Sequence, residues 1–443
     1  MLLRFSVENW MSFRDEATLD LVATREEQHS NHLAPIAKFG LKVLPVSAIY
    51  GANASGKSNL VKALSFAQHF ITDPPKSDAP IPLRPFRLSK DFFEHPSKFR
   101  IEALIEETVY EYTFSLSTDR VLEEELKRIN ATTEELLFRR GSGIENFVLS
   151  EKVPEQDKQR FARQGTSENQ LFLTNSVSQK LTAFKPVFDW ILNGITVILP
   201  DFRFRNLSNG MNETHPLFDK MVGRLCRLDS GIASLRQIEV SPESIIPKAL
   251  VDQLTATLKE GQSFPFGPLW ETQGISVRKE NGVIIARRLA PIHQNERGDE
   301  IAFSFADESD GTRRLFDLLP AFLHLEDNLP EVFVIDELDR SLHSLLTRNL
   351  LEHFLDMRTE SSQSQLIFTT HDTQLMTQDI FRRDELWVTE RDQTGASKLV
   401  AFSEFKDVRK DKDIRKSYLQ GRLGGVPKIT STSVVCEDEA TVR

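Results

Sequence analysis

Gly51-x4-Gly56-Lys57-Ser58, within the run "GANASGKSNL" (51–60), has the residue types and spacing of a phosphate loop. Its glycines let successive backbone N–H groups turn toward a chain of phosphates. Lys57 would reach the β- and γ-phosphates, and the Ser58 hydroxyl would sit on Mg²⁺. Asn53 and Asn59 flank these groups. A phosphate loop alone binds; hydrolysis also needs acids at the end of a buried strand.

"VFVIDELD" (332–339) supplies such acids. Four apolar residues bury a strand and deliver Asp336 to its carboxyl end, where ligands of open sheets bind. Asp336 would join Ser58 in holding Mg²⁺, and Glu337 suits a general base that orients an attacking water. "FTTHDTQLM" (368–376) ends another apolar strand at His371, 35 residues after Asp336. A neutral imidazole there could hydrogen-bond a γ-phosphate or the water. In "ESDGTRRLFDLLPAF" (308–322), Ser309 and Gly311 stand at the start of a helix. That end offers free N–H groups and a positive dipole to an anion.

The elements that carry these groups can be read from periodicity. "KVLPVSAIY" is an apolar strand entering the glycine loop, and Leu60, Leu64, Ala67 and Ile71 then recur at helical spacing. Alternating runs near the N-terminus, "LLRFSVENW" and "ATLDLVA", predict two short strands, and "KFRIEALIEE" and "VYEYTFSLS" predict two more. Asn281-Gly282 predicts a tight hairpin within "ISVRKENGVIIARRL". From 300 onward strand and helix alternate, which implies a parallel or mixed sheet with helices packed on it. Between these regions, helical signals dominate about 155–260. The fold class expected is therefore α/β, a phosphate-loop mixed sheet plus antiparallel strands, with a mostly helical insertion. The boundaries are 1–116 for a first lobe, 117–297 for the insertion, 298–405 for a second lobe and 406–443 for a C-terminal segment.

In this order the motifs resemble the ABC-type ATPases of the SMC/RecF class. Ser309-Asp310-Gly311-Thr312 is similar to their signature motif, though it reads SDGT instead of LSGGQ. "IDELDRSLH" resembles the Walker B motif and the D-loop, which includes Asp339, and "TTHD" resembles the switch histidine. "ENWMSFRDEATLDL" and "RKDKDIRKSYLQGRLGGVP" narrow the resemblance to bacterial anti-phage defence ATPases: the overcoming-lysogenization-defect (OLD) family, RloA, AbiL-type proteins and the PARIS ATPase AriA. No Q-loop glutamine is placed; Gln68 falls inside the first helix, and "LRPFRLS" (83–89) occupies that position.

The resemblance implies that two copies sandwich two ATP molecules, each held by Lys57 and Ser58 of one chain and Ser309 and Gly311 of the other. ATP, Mg²⁺ and a homodimer or higher homo-oligomer follow from it. So does a gated nuclease or toxin effector, acting in trans or from a C-terminal domain beyond the chain. "TSTSVVCEDEATVR" at the end resembles the opening strand and glutamate of a truncated TOPRIM domain. A RecF-like DNA-repair ATPase that binds or clamps DNA is the alternative.

Bulk properties bound the rest. At 443 residues the chain exceeds one compact core. A net charge of −10, from 55 basic and 65 acidic residues, argues against a surface coated by nucleic acid. A local basic groove stays open: "KDVRKDKDIRKSYLQGR" (406–422) is a candidate, with solvated helix as the plainer reading. No run approaches the roughly 18 apolar residues of a membrane span. Cys226 and Cys436 are too few and too distant for a disulfide framework. The cytoplasm is the expected compartment.

Overall fold

The computed structural model describes residues 1–143, 145–202, 216–228, 230–265, 275–327, 329–405 and 413–427. Strands β1 (Leu2–Glu8) and β2 (Ala17–Asp20) form the first hairpin, and the short pair β3 (Ala34–Ile36) and β4 (Leu41–Val43) follows. β5 (Val46–Gly51) runs into the glycine loop and then α1 (Lys57–Thr72). After α2 (Lys90–Phe93), strands β6 (Ser97–Ile105), β7 (Thr108–Leu116), β8 (Val121–Ile129), β9 (Glu134–Arg140) and β10 (Phe147–Leu149) meander. All of these join β1 and β2 in one seven-stranded antiparallel sheet, in the order β10-β9-β8-β7-β6-β1-β2.

Helices α3 (Gln156–Gln164), α4 (Phe172–Ser178) and α5 (Lys185–Asn193) cover that sheet and lead to β11 (Ile195–Ile198). Beyond α6 (Pro216–Leu225) lie β12 (Ser234–Val240), α7 (Lys248–Thr257), β13 (Ser263–Pro265), β14 (Ile275–Glu280), β15 (Val283–Gln294) and β16 (Glu300–Ala302). These five strands form a separate sheet, with α7 on a small core of Ile246, Leu258, Val277, Ile284 and Ala286. The expected hairpin is present. Asn281 (φ 53°) and Gly282 (φ 79°) both take the left-handed backbone that its tight turn demands.

α8 (Asp310–Glu326), β17 (Val332–Ile335), α9 (Ser344–Asp356), β18 (Gln365–Thr369), β19 (Leu386–Arg391), β20 (Ser397–Ala401) and α10 (Ile414–Leu419) complete the described chain. The central sheet is mixed, in the order β11-β17-β18-β5-β19-β20, and only β20 is antiparallel. Both its faces are covered, which explains why its strands read as nearly unbroken apolar runs. Ile49, Val332 and Val334 face the core shared with α1 and the antiparallel sheet. Val46, Ala48, Tyr50, Phe333 and Ile335 face the core shared with α8 and α9. The fold is α/β with the two sheet types expected.

The segment 117–297 differs from a largely helical insertion. Among its described residues are five α-helices, yet β8–β10 extend the first antiparallel sheet and β11 enters the central sheet beside β17. Charged residues such as those of "VLEEELKRI" hide a strand, because local propensity favours helix while cross-strand pairing decides. Lys127 lies 3.0 Å from Glu125, 3.6 Å from Glu111 on β7 and 3.4 Å from Glu134 on β9. The basic run at 406–412 and the TOPRIM-like end at 430–443 lie outside the described residues. Among the described residues, no helix is long and apolar enough to cross a membrane.

Candidate functional site

The glycine loop leaves the buried end of β5 at Gly51, whose φ of 150° and surroundings suit only glycine. A Cβ there would lie 2.5 Å from Ser55 Oγ and Thr389 Oγ1. Gly56, at φ 116°, is the N-cap of α1 and has no side-chain cap. The first N–H groups of α1 therefore keep no local side-chain acceptor, the arrangement that binds anions. Around the loop lies a cavity of about 1030 Å³, lined by Asn53, Gly56, Lys57, Ser58, Asn59, Glu337 and His371 among others.

Lys57 is buried, and its ammonium donates to Gly51 O at 2.8 Å and Ala52 O at 3.2 Å. Burial lowers its pKa to about 8, against the opposing pull of Asp336, Asp339 and Glu337. A phosphate would supply the negative charge that this lysine lacks.

Ser58 Oγ donates to Asp336 Oδ1 at 3.0 Å, and Thr369 Oγ1 donates to the same oxygen at 2.6 Å. Asp336 is 1% exposed, at the carboxyl end of β17, and β18 separates that strand from β5. Thr369 also accepts the Glu337 N–H at 2.8 Å. Glu337 sits in the left-handed region at φ 53°, a conformation of measurable cost in a non-glycine residue. Glu337 lines the cavity, and Arg340 Nη1 stands 4.0 Å from its carboxylate. Arg314, buried in α8, has Nη2 3.4 Å from the carbonyl oxygens of both Asp336 and Glu337.

His371 lines the cavity from the loop after β18. Its backbone N–H donates to Asp339 at 3.2 Å, which places Asp339 beneath the histidine. Burial, then the Lys57 charge, lowers the His371 pKa below its ordinary 6.5, which favours the neutral imidazole. Asn59 Nδ2 donates to Ser12 Oγ at 2.8 Å and so ties α1 to the N-terminal strands.

Ser309 and Gly311 do not line this cavity. Ser309 caps α8, accepting the Thr312 N–H at 3.1 Å, and a Cβ on Gly311 would meet Ser341 O at 2.8 Å. This helix start therefore packs beside the loop that follows Asp339. Gln68 is an anchor: its Nε2 donates to Ile191 O at 2.9 Å and Ile195 O at 2.7 Å. The loop 83–89 does reach the cavity, through Arg84, Phe86, Arg87 and Leu88.

Sequence reasoning missed Thr369, Arg314, Ser12 and Ser397. A threonine ending the apolar strand "QLIFT" was a usable signal for Thr369. Ser397 left no comparable signal. Its Oγ donates to Ser55 O at 2.6 Å across a turn of chain visible only in three dimensions.

Residues 46–377, three quarters of the chain, match the family described as "AAA domain, putative AbiEii toxin, Type IV TA system". No curated protein sequence matches the chain. Among solved structures, the SMC head bound to the C-winged helix domain of ScpA is similar at 13% identity, covering 90% of this chain and 97% of that one, with a TM-score of 0.38. The SMC head domain from Thermotoga maritima is similar at 14% identity, covering 90% and 98%, with a TM-score of 0.36. An Smc head domain with an extended coiled coil, bound to the C-terminal domain of ScpA derived from Pyrococcus furiosus, is 13% identical, covering 90% and 96%, with a TM-score of 0.37.

Proposed function

The chain belongs to this AAA domain family, and on that premise we propose that it is an ABC-type ATPase whose ATP-driven pairing gates a nuclease or toxin effector in anti-phage defence. The observation that carries the ATPase reading is the meeting of Ser58 and Asp336 at 3.0 Å beside a cavity that Lys57, Glu337 and His371 line. Glycines positioned for backbone approach, a buried lysine and a hydroxyl–carboxylate pair are the donor set that a magnesium nucleotide requires. Ser58 and Asp336 would hold Mg²⁺, which would neutralise charge on the terminal phosphates.

Within that site Lys57 binds the β- and γ-phosphates. Glu337 orients a water against the γ-phosphorus and accepts its proton as the phosphoanhydride bond breaks to ADP and phosphate. Neutral His371 donates to the γ-phosphate. Ser309 and Gly311, absent from their own chain's cavity, serve the site of a second copy.

The defence reading is supported by the family description, which names a toxin of a type IV toxin–antitoxin system. The test is the mass of the Glu337→Gln chain by light scattering, with and without ATP and Mg²⁺. A dimer that forms only with nucleotide is expected; a mass independent of ATP would sink the pairing model. Turnover that duplex DNA stimulates, together with stable DNA binding, would favour a DNA clamp over an effector gate.

A further inference from the structure

The segment from Asp413 to Pro427 is seated against the outer side of the glycine loop. Asp413 starts it by accepting the Lys416 N–H at 2.9 Å, which caps α10. Tyr418, 6% exposed, packs its ring edge-on against Tyr50 at 6.3 Å between centroids, and Tyr50 is the residue before Gly51. The Tyr418 hydroxyl donates to Gly425 O at 2.9 Å in a buried hydrogen bond.

Gly425 is the contact point. Its φ of 68° is left-handed, and a Cβ there would run into Val388 Cγ2 and lie 3.3 Å from Gly51 Cα. Gly424, also at φ 68°, takes the same left-handed backbone and lies beside the Glu390 carboxylate. Gly425 thus lets one backbone approach another at the first residue of the phosphate loop. A second cavity of about 340 Å³ lies here, bounded by Asn53, Ser55, Arg391, Gly425 and Pro427. Asn53, Ser55 and Arg391 also line the larger cavity. The glycine loop is therefore a thin wall, with the phosphate side on one face and this strap on the other.

The geometry points to Tyr418 and Gly425 as positioning residues for the phosphate loop, with seating of the strap linked to nucleotide binding at Lys57 and Ser58. The inference rests on the nucleotide-binding reading above. Gly51 must hold an unusual backbone angle for the loop N–H groups to converge, and the strap blocks its outward movement. Such linkage is reciprocal: what the strap adds to nucleotide affinity, bound nucleotide adds to strap seating.

The experiment uses the full chain with Mg²⁺ and ATP, and compares wild type, Tyr418→Phe and Gly425→Ala. Tyr418→Phe keeps the ring and removes only the hydrogen bond to Gly425, so it is expected to fold. KM for ATP should rise several-fold in Tyr418→Phe and further in Gly425→Ala, with a smaller change in kcat. A purely structural role would lower the melting temperature and leave KM of the folded fraction alone. Hydrogen exchange supplies the reciprocal readout. ATP should slow exchange across 414–427 in wild type and not in Lys57→Ala. Unaltered KM in Tyr418→Phe, or exchange at 414–427 indifferent to ATP in a wild type that binds it, overturns the inference. A wild type that binds no ATP overturns the nucleotide reading and the inference with it.

Discussion

Ser58 and Asp336, separated by 278 residues of sequence, share a hydrogen bond of 3.0 Å between the first turn of α1 and the carboxyl end of β17. Thr369 completes this junction, donating at 2.6 Å to the same Asp336 oxygen while accepting the Glu337 N–H at 2.8 Å. One hydroxyl thus orients both acids. Thr369→Val leaves a buried carboxylate oxygen and a backbone N–H short of a partner, at a cost of about 1–3 kcal/mol. ATP turnover should fall roughly tenfold or more, since a misplaced acid costs its part in orienting water. Thr369→Ser keeps the hydroxyl and should restore most of both. Thermal unfolding and phosphate release measure the two effects, and a Val variant as active as Ser would refute the role.

On the proposed mechanism Glu337 serves catalysis instead of binding. It occupies a left-handed backbone angle of φ 53° and lines the cavity together with Lys57. Glu337→Gln keeps the volume and removes the proton acceptor. Turnover should fall on the order of 10²- to 10⁴-fold, while ATP affinity, measured by equilibrium binding, should stay within about threefold, well under 1 kcal/mol. Unchanged turnover with intact binding would reassign the base.

Lys57 makes the site's response to pH legible. Burial lowers its pKa from 10.5 to about 8, so the neutral amine is favoured by folding. Between pH 8 and 10.5 the unfolded chain binds the extra proton, and this group's contribution to stability rises with pH across that window. At neutral pH the free protein bears the cost of a desolvated cation, so Lys57→Met should melt higher than wild type in the absence of nucleotide. The same variant should not bind ATP. In wild type, ATP affinity should fall as pH rises through about 8, and binding above that pH should take up a proton. Calorimetry in buffers of different ionisation enthalpy reads this uptake directly. Release of a proton above pH 8 would contradict the assignment.

The candidate residues that the structure gathers around the cavity stood out in sequence because each sits at a junction with a strong local signature. Gly51 and Gly56 punctuate a strand and a helix, Asp336 follows an unbroken apolar run, and His371 follows an apolar run and two threonines. What could not be read are contacts made by distance. Arg314 looks like any surface arginine of an amphipathic helix, yet it is buried against the Asp336 and Glu337 carbonyls. β8 is rich in charge, and only the ladder to β7 makes it a strand. Gly425 carries no local signal for its role, which depends on the approach of Gly51, far away in sequence.

Ser309 provides the test of where a complete site resides. It accepts the Thr312 N–H and starts a 17-residue helix, yet it stands outside the cavity of its own chain. Ser309→Arg forfeits the cap, worth about 1 kcal/mol, and places a bulky cation where a partner's nucleotide would sit. ATP binding to the monomer should survive and hydrolysis should vanish. Lys57→Ala should abolish hydrolysis from the other half. Mixing the two inactive chains decides the matter. In a dimer of one Lys57→Ala chain and one Ser309→Arg chain, one composite site joins both lesions and the other joins Lys57 to an intact Ser309. Random pairing then returns roughly a quarter of wild-type turnover. If every site were built within a single chain, each copy would carry its own lesion and the mixture would stay inactive.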